Sequence, residues 1–132
     1  MMGLMELSSL TTFLYFDQLD KAKVFFEEVL ELECVFDPEW ACIWRIGKDS
    51  FLGGVDVKRG SIEVVNRGGV LVSLTVKDIE EVYEKLRKYD LEDMTDIKIF
   101  DDIHLKSFIF TGPEGYKFEV QEFTSEELRS LF

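Results

Sequence analysis

The sequence predicts an α+β domain in which a β-α-β-β-β unit occurs twice and is followed by a short C-terminal helix. Two segments with apolar residues at helical spacing each follow a β-branched or aromatic run and precede three strand-like runs. The length of 132 residues and the hydrophobic fraction of 46% suit one domain with its own core. We therefore predict a single domain over 1–132, with units at about 8–58 and 69–123 and a helix at 124–132.

The first unit begins with the run LTTFLYF, which predicts a strand over 10–16. The helix that follows has Asp17 or Asp20 as its candidate N-cap. The glycines at 53–54 predict a bulge or a close backbone approach within the last strand of the unit. The apolar stripe of the helix consists of Ala22, Phe25, Phe26, Val29 and Leu30. The remaining strands of this unit are predicted at 32–36, 41–46 and 51–57.

A polar, glycine-containing connector over 58–69 separates the units, and we predict a short strand within it at 62–65. The second unit then starts with a strand over 70–76, whose sequence VLVSLTV is rich in β-branched residues. Asp78 and Glu81 have the spacing of a capping box, which predicts the start of the second helix. The order of elements in the first unit therefore begins again here.

The second unit continues with three strands, and Thr124 or Ser125 is the candidate N-cap of the terminal helix. The last two strands are joined by GPEG at 112–115, whose proline and glycines suit a tight turn. The three strands are predicted at 97–100, 105–111 and 116–123. In each unit the helix covers one face of the sheet, so the other face needs a partner. We therefore expect the two units to face each other across a ligand cavity.

The composition excludes several classes of partner. Asp and Glu number 27 against 15 Lys and Arg, and the net charge of -12 would repel a nucleic acid. The acidity chiefly favours solubility, and it would also attract a cationic ligand. No run is long and apolar enough to span a bilayer, and the first ten residues do not resemble a signal peptide. We expect a cytoplasmic protein without nucleic-acid or membrane partners.

The two cysteines and the single histidine give weaker functional signals. A hairpin around 37–39 would bring Cys34 and Cys42 opposite each other, where a disulfide is geometrically possible. A reducing cytosol disfavours that bond, and the sequence has no Cys/His spacing typical of zinc. His104 is interpreted as a surface residue, and a catalytic or metal role is the minor alternative.

Six short runs match the signatures of one family, in order along nearly the whole chain. They are FLYFD (13–17), KAKVFF (21–26), VLEL (29–32), LTVKDI (74–79), YEKL (83–86) and GPEGYKFEV (112–120). Together they resemble the vicinal oxygen chelate superfamily, also called the glyoxalase/bleomycin resistance protein/dioxygenase group. The sequence departs from the pattern where Gly112 replaces the usual Asp and Glu31 replaces the usual Gly. The resemblance implies two βαβββ units that form a curved mixed sheet around a cavity.

The resemblance also implies four metal-ligand positions, which the family's metal enzymes fill with His, Glu or Gln. The fourth position matches Glu119. The other three match residues that cannot replace such a ligand: Thr11, Gly53 or Gly54, and Leu71. A catalytic ion needs about three protein ligands, and glycine and leucine side chains offer no donor atom. We therefore predict no metal site of the family type and no cofactor.

The same resemblance implies that the strand face carrying Glu119 lines the cavity. The alternating pattern of the strand alone predicts that this face is exposed to solvent. A carboxylate there could bind a cation, accept hydrogen bonds or act as a general base, so Glu119 is the catalytic candidate. Trp40 and Trp44 are better explained as core or interface residues than as a stacking wall. The candidate ligand-binding residues are Thr11, Phe13, Tyr15, Trp44, Ser73, Thr75 and Glu119.

Three functions remain open. The favoured one is metal-free binding of a small cationic or aromatic molecule, similar to the bleomycin-resistance branch, because ligands are missing and the chain is acidic and aromatic-rich. The second is a metal-dependent lyase, isomerase or dioxygenase of the same superfamily. The third is a non-catalytic interaction module with a filled cavity. Whether the protein is an enzyme stays open, with the balance against it, and a homodimer is expected from the family's habit of pairing units.

Overall fold

The computed structural model describes residues 6–132. Within that range no helix is long and apolar enough to cross a membrane. The chain divides into two compact units, one ending at Val65 and the other beginning at Asn66. Each unit holds one four-stranded mixed sheet, so the α+β class and the βαβββ order of both units are confirmed.

The sheet of the first unit has the strand order β1-β4-β3-β2. Its first and last strands pair in parallel, and the other neighbours are antiparallel. The first helix ends in a π-helical turn over Phe25–Val29, which the sequence analysis did not predict. The elements are β1 (Leu10–Phe16), α1 (Leu19–Val24), β2 (Glu33–Phe36), β3 (Ala41–Ile46) and β4 (Ser50–Asp56).

The sheet of the second unit repeats this arrangement with the order β5-β8-β7-β6. Here too the first and last strands pair in parallel, while the other pairs are antiparallel. A helix again follows the first strand, and the unit ends in a short additional helix. The elements are β5 (Leu71–Thr75), α2 (Ile79–Leu86), β6 (Lys98–Phe100), β7 (Leu105–Thr111), β8 (Lys117–Phe123) and α3 (Glu126–Leu131).

The core of each unit lies between its helix and the helix-facing side of its sheet. Alternation along β1 buries Leu14 and Phe16, and the Phe16 ring lies 6.0 Å from that of Phe26. Alternation along β8 buries Phe118 and Val120 in the same way. Both strands therefore have one face in the core and one open face.

The capping predictions were right for α2 and α3 and wrong for α1. Asp78 accepts a hydrogen bond from the Glu81 backbone N–H at 3.1 Å, and Ser125 accepts one from Leu128 at 3.3 Å. The first helix begins after Gln18, so neither predicted aspartate is its N-cap. An acidic residue near a helix start was too general a signal to fix the boundary.

The predicted strand at 62–65 is also wrong, since this stretch has no regular secondary structure. Ile62 and Val65 are largely exposed, so burial of their apolar side chains does not stabilise a strand at this position. By contrast, the turn at 112–115 is confirmed by a hydrogen bond of 2.8 Å from the Gly112 N–H to the Tyr116 carbonyl.

Candidate functional site

An apolar cavity of about 200 Å³ opens on the face of the first sheet that the helix leaves uncovered. All of its walls come from the first unit, and we call it the aromatic cavity. Its lining residues are Phe13, Tyr15, Phe36, Pro38, Trp40, Ala41, Ile43, Val55, Gly60 and Ser61. Two of the predicted ligand-binding residues, Phe13 and Tyr15, are therefore brought together in one cavity, and Thr11 precedes them on the same face of β1.

The floor of the aromatic cavity depends on a glycine. Phe13 pairs with Gly53 across β1 and β4, and a Cβ added at Gly53 would lie 2.3 Å from the Phe13 ring. The ring can lie flat over the strand only because the side chain is missing. The close backbone approach predicted from the paired glycines is therefore confirmed. Gly54 is likewise close to Leu19 and Trp44 on the helix side of the sheet.

One wall is formed where the start of the connector folds over Tyr15. The Tyr15 hydroxyl accepts a hydrogen bond from the Ser61 backbone N–H at 3.0 Å. A Cβ at Gly60 would lie 2.1 Å from the Tyr15 ring, so only glycine fits at this close approach. The sequence predicts only a polar connector over this stretch, and Gly60 is the residue that signals a specific contact.

The opposite wall comes from the hairpin that joins β2 and β3. Lys23 donates to the Asp37 carboxylate at 3.0 Å, and the Glu39 backbone N–H donates to the same oxygen at 2.9 Å. These bonds hold the segment between Phe36 and Trp40 against the helix. The hydrogen bond from Lys23, helped by that from Glu39, holds the pKa of Asp37 below its ordinary value.

The two tryptophans lie on different faces of the first sheet. Trp44 is 0% exposed, packs on Phe26 at 4.5 Å between ring centroids, and donates from its indole Nε1 to Glu27 at 3.2 Å. Trp40 is 38% exposed and lines the aromatic cavity, with the Arg59 guanidinium 5.6 Å from its ring centre. Trp44 therefore lies apart from Phe13 and Tyr15 and is a core residue, the first of its predicted alternatives. Trp40, which was not among the predicted binding residues, lines the cavity instead.

The open face of the second sheet carries polar side chains that bond to one another across the parallel pair β5 and β8. Ser73 pairs with Glu119 across β5 and β8, and its hydroxyl donates to the Glu119 carboxylate. One position along, the Gln121 amide donates to the Thr75 hydroxyl at 2.9 Å. The predicted residues Ser73, Thr75 and Glu119 thus share one face, as strand alternation implied.

The residues at the family's metal-ligand positions do not fit a bound ion. Glu119 provides a carboxylate, but Leu71 lies half-exposed beside Lys117 on the same face and offers no donor. Gly53 is covered by the Phe13 ring. Among residues 6–132, the groups of three potential ligands are Glu27/Cys34/Cys42 and Asp78/Glu80/Glu122, and neither contains Glu119.

A second cavity, of about 300 Å³, lies under α3 in the second unit. Phe123 and Phe132 stack at 4.8 Å between ring centroids, and Arg129 pairs with Glu122 at 3.2 Å. The lining residues are Thr75, Val76, Lys77, Phe123, Arg129 and Phe132. His104 is exposed at the turn before β7, so its predicted surface position is confirmed.

The cysteine pair belongs to the helix side of the first sheet. Cys34 and Cys42 are free thiols whose sulfurs lie 2.7 Å apart. Cys42 is buried, and this burial, followed by the hydrogen bond with Cys34, raises the pKa of its thiol.

No protein-family model matches the chain, and no curated protein matches it. Solved structures do. A member of the glyoxalase/bleomycin resistance protein/dioxygenase superfamily from Sphaerobacter thermophilus DSM 20745 is 20% identical, with a TM-score of 0.74 over 90% of this chain and 99% of that one. Lactoylglutathione lyase from Agrobacterium tumefaciens is 21% identical, with a TM-score of 0.69 over 86% and 91%.

The fosfomycin resistance protein FosX from Mesorhizobium loti is a third similar structure, 18% identical, with a TM-score of 0.65 over 96% of this chain and 98% of that one. At these identities the likeness is one of fold. The strand orders and the parallel pairing of first and last strands agree with it. The chain therefore has the vicinal oxygen chelate fold of the glyoxalase/bleomycin resistance protein/dioxygenase superfamily, as the sequence resemblance implied.

Proposed function

We propose that the protein binds a small, neutral aromatic molecule in the aromatic cavity of its first unit. The observation that carries this proposal is an open cavity walled by four aromatic rings, those of Phe13, Tyr15, Phe36 and Trp40. Apolar cavities of about 150 Å³ bind benzene, so one of about 200 Å³ suits a ligand with one or two rings. Rings of this kind stack or meet edge to face with bound aromatics.

The charge of the lining residues narrows the ligand class. None of the ten lining residues is acidic, and Arg59 places its positive charge over the Trp40 ring. A cationic ligand would find no carboxylate among the lining residues, and it would be repelled by the Arg59 guanidinium that already lies over the Trp40 ring. The net charge of -12 attracts cations only over long range, so we favour an aromatic ligand over a cationic one.

The other two hypotheses have less support. A metal-dependent lyase of the kind named among the similar structures would need a donor set that Leu71 and Gly53 do not provide. An interaction module with a filled cavity is disfavoured by the open cavity in the first unit.

The predicted catalytic or ligand-binding role of Glu119 is separate from the proposal for the aromatic cavity. Its carboxylate already accepts the Ser73 hydroxyl, and it belongs to the second unit rather than to the walls of the aromatic cavity. A neutral ligand held by the first unit should not need its negative charge. The substitution Glu119→Gln therefore tests whether this carboxylate takes part in binding.

The test is a fragment screen that compares neutral aromatic molecules with cationic amines, read out by thermal shift and by tryptophan fluorescence. We expect neutral aromatics to bind, and Trp40→Ala to weaken the best of them by about fivefold, since a stacking contact is worth about 1 kcal/mol. Phe100→Ala is the matched control, because Phe100 is 39% exposed in the second unit and lines neither cavity described above.

The comparison of variants decides the proposal. Binding that survives Phe100→Ala and Glu119→Gln but weakens in Trp40→Ala supports it. Screening that yields only cationic ligands, or equal losses in Trp40→Ala and Phe100→Ala, contradicts it. The predicted homodimer and cytoplasmic location are separate predictions, and light scattering after gel filtration tests the first.

A further inference from the structure

Three potential metal ligands meet on the helix side of the first sheet. The carboxylate of Glu27 and the sulfurs of Cys34 and Cys42 all lie within 4.8 Å of one another. We call this group the thiol cluster. We propose that it binds one thiophilic divalent cation, with zinc as the natural candidate, through two thiolates and one carboxylate.

Two irregularities of the backbone bring these residues together. A bulge in β2 lies between Cys34, which pairs with Trp44, and Phe36, which pairs with Ile43. The extra residue turns Cys34 toward the helix while Phe36 lines the aromatic cavity. Glu27 lies in the π-helical turn at the end of α1, and such turns occur frequently at functional sites.

The carboxylate of Glu27 is already oriented by a neighbour. The buried Trp44 ring donates from Nε1 to one Glu27 oxygen at 3.2 Å, and the thiols lie beside the same side chain. A hydrogen bond of this kind to a ligating carboxylate fixes its direction and is typical of metal sites. Trp44 therefore has a positioning role that its packing against Phe26 alone would not require.

The donor set matches the chemistry of zinc. Zinc accepts cysteine sulfur at about 2.3 Å and carboxylate oxygen at about 2.0–2.2 Å, and three protein ligands leave a fourth position for water. Two sulfurs on one such ion lie about 3.8 Å apart by this geometry. Here they are 2.7 Å apart, so binding requires them to separate. Cys34 lies on an edge strand and is only partly buried, so its side chain can rotate to make that room.

The charges around the sulfurs favour the binding of a cation. Glu27 and Asp37 both place negative charge near Cys42, and the Lys23 ammonium offsets that of Asp37 at 3.0 Å. The negative charge of Glu27 therefore remains beside the two sulfurs. The same charge attracts a cation, and a cation neutralises the cluster.

The thiol cluster is independent of the proposed function. Cys42 and Trp44 point to the helix side of β3, whereas Ala41 and Ile43 point into the aromatic cavity. It also shares no residue with the family's metal-ligand positions matched above. Failure of ligand binding in the aromatic cavity would therefore leave this inference untouched, and the reverse holds as well.

The test uses the full chain, reduced and freed of metal with a chelator. Zinc is titrated against a chromophoric chelator to give stoichiometry and affinity, and cadmium is titrated separately in the ultraviolet, where thiolate-to-cadmium charge transfer reports the sulfur ligands. We expect one ion per chain and a cadmium band corresponding to two thiolates. Cys34→Ser and Glu27→Gln should each lower zinc affinity by about 10- to 100-fold or more, since even outer-shell changes have effects of that size.

Glu28→Gln is the matched control, because Glu28 is the exposed neighbour of Glu27 and lies outside the cluster. It should leave zinc affinity unchanged. Cys42→Ser removes a buried group and can unfold the unit, so the decision rests on Cys34→Ser and Glu27→Gln, checked for folding by circular dichroism. The inference is overturned if the reduced chain binds less than one zinc ion, if Cys34→Ser binds as the wild type does, or if a Cys34–Cys42 disulfide persists in reductant and excludes the metal.

Discussion

The two units have the same strand order and the same parallel and antiparallel pairings, yet their open sheet faces differ completely. The first unit presents aromatic rings around an open cavity. The second presents hydroxyl, amide and carboxylate groups that hydrogen-bond among themselves. The fold thus provides a face in each unit, and the side chains on that face determine whether it can receive a ligand.

The central pair of residues on the parallel strands shows how this difference arises. In the first unit Phe13 pairs with Gly53, so the ring lies over a position without a side chain. In the second unit Ser73 pairs with Glu119, and the two side chains satisfy each other. A glycine opposite a large ring leaves room above the sheet, whereas Ser73 and Glu119 bond to each other across the strands.

The largest expected effect separates core aromatics from cavity aromatics. Trp44→Ala should lower the free energy of unfolding by about 3–5 kcal/mol, because the ring is fully buried and a cavity would remain. Phe118→Ala in the second unit should have an effect of similar size, since its ring is buried and stacks on Phe110 at 5.4 Å. Urea denaturation followed by circular dichroism measures both.

Trp40→Ala is the comparison variant for this prediction. It should change the free energy of unfolding by about 1 kcal/mol or less, because the ring is partly exposed. A loss as large as that of Trp44→Ala would mean that Trp40 is a core residue. The aromatic cavity would then not be an open face of the first unit.

The next effect concerns the two ends of the connector. Gly60→Ala should destabilise the first unit by about 1–3 kcal/mol, because the new methyl would lie 2.1 Å from the Tyr15 ring. It should also abolish binding in the aromatic cavity by displacing that wall. Gly68→Ala, whose Cβ would meet no atom closer than 3.6 Å, should stay within about 0.5 kcal/mol of wild type.

Chemical denaturation and ligand titration of both glycine variants check this prediction. Equal stability in the two variants would show that the connector does not fold tightly onto Tyr15. The difference in stability between Gly60→Ala and Gly68→Ala thus shows whether the connector after β4 packs specifically on the first unit.

Strand alternation predicted much of this arrangement because it is a local property of the backbone. The open faces of β1 and β8 followed from period two, and the close approach at Gly53 followed from a glycine inside an apolar strand. The cap at Asp78 followed from a short-range hydrogen bond. Each of these signals depends on residues within a few positions of one another, which is why the sequence alone was sufficient.

The site was harder to predict because its residues are positioned by irregular backbone. The bulge after Cys34 reverses the side on which the next side chains point, and no local pattern signals it. Trp40 lies in the bend before β3, where strand alternation does not apply, so its place in the cavity wall did not follow from the strand pattern. The π-helical turn that contains Glu27 has the same consequence, since helical spacing predicts a different neighbour for that carboxylate.

The smallest expected effect tests the hairpin wall of the aromatic cavity. Asp37→Asn keeps an acceptor for the Glu39 N–H but removes the charge that pairs with Lys23. Because Asp37 is exposed, the loss of stability at neutral pH should be below about 1 kcal/mol, while ligand affinity should fall severalfold as the wall loosens. Glu80→Gln, which breaks the exposed Lys106–Glu80 pair of the second unit, should have a similar effect on stability and none on the ligand.

The stability that the Lys23–Asp37 ion pair contributes should decrease as the pH falls. The hydrogen bond from Lys23 lowers the pKa of folded Asp37 below 3.8, its ordinary value, so the ion pair contributes fully above pH 3.8. That contribution is lost as the pH falls through the lower folded pKa, where wild type and Asp37→Asn should converge in stability. Ligand affinity should therefore be measured against pH for the wild type and for Asp37→Asn. If charge holds the wall, the two affinity curves converge at low pH; if packing holds it, they stay parallel at every pH.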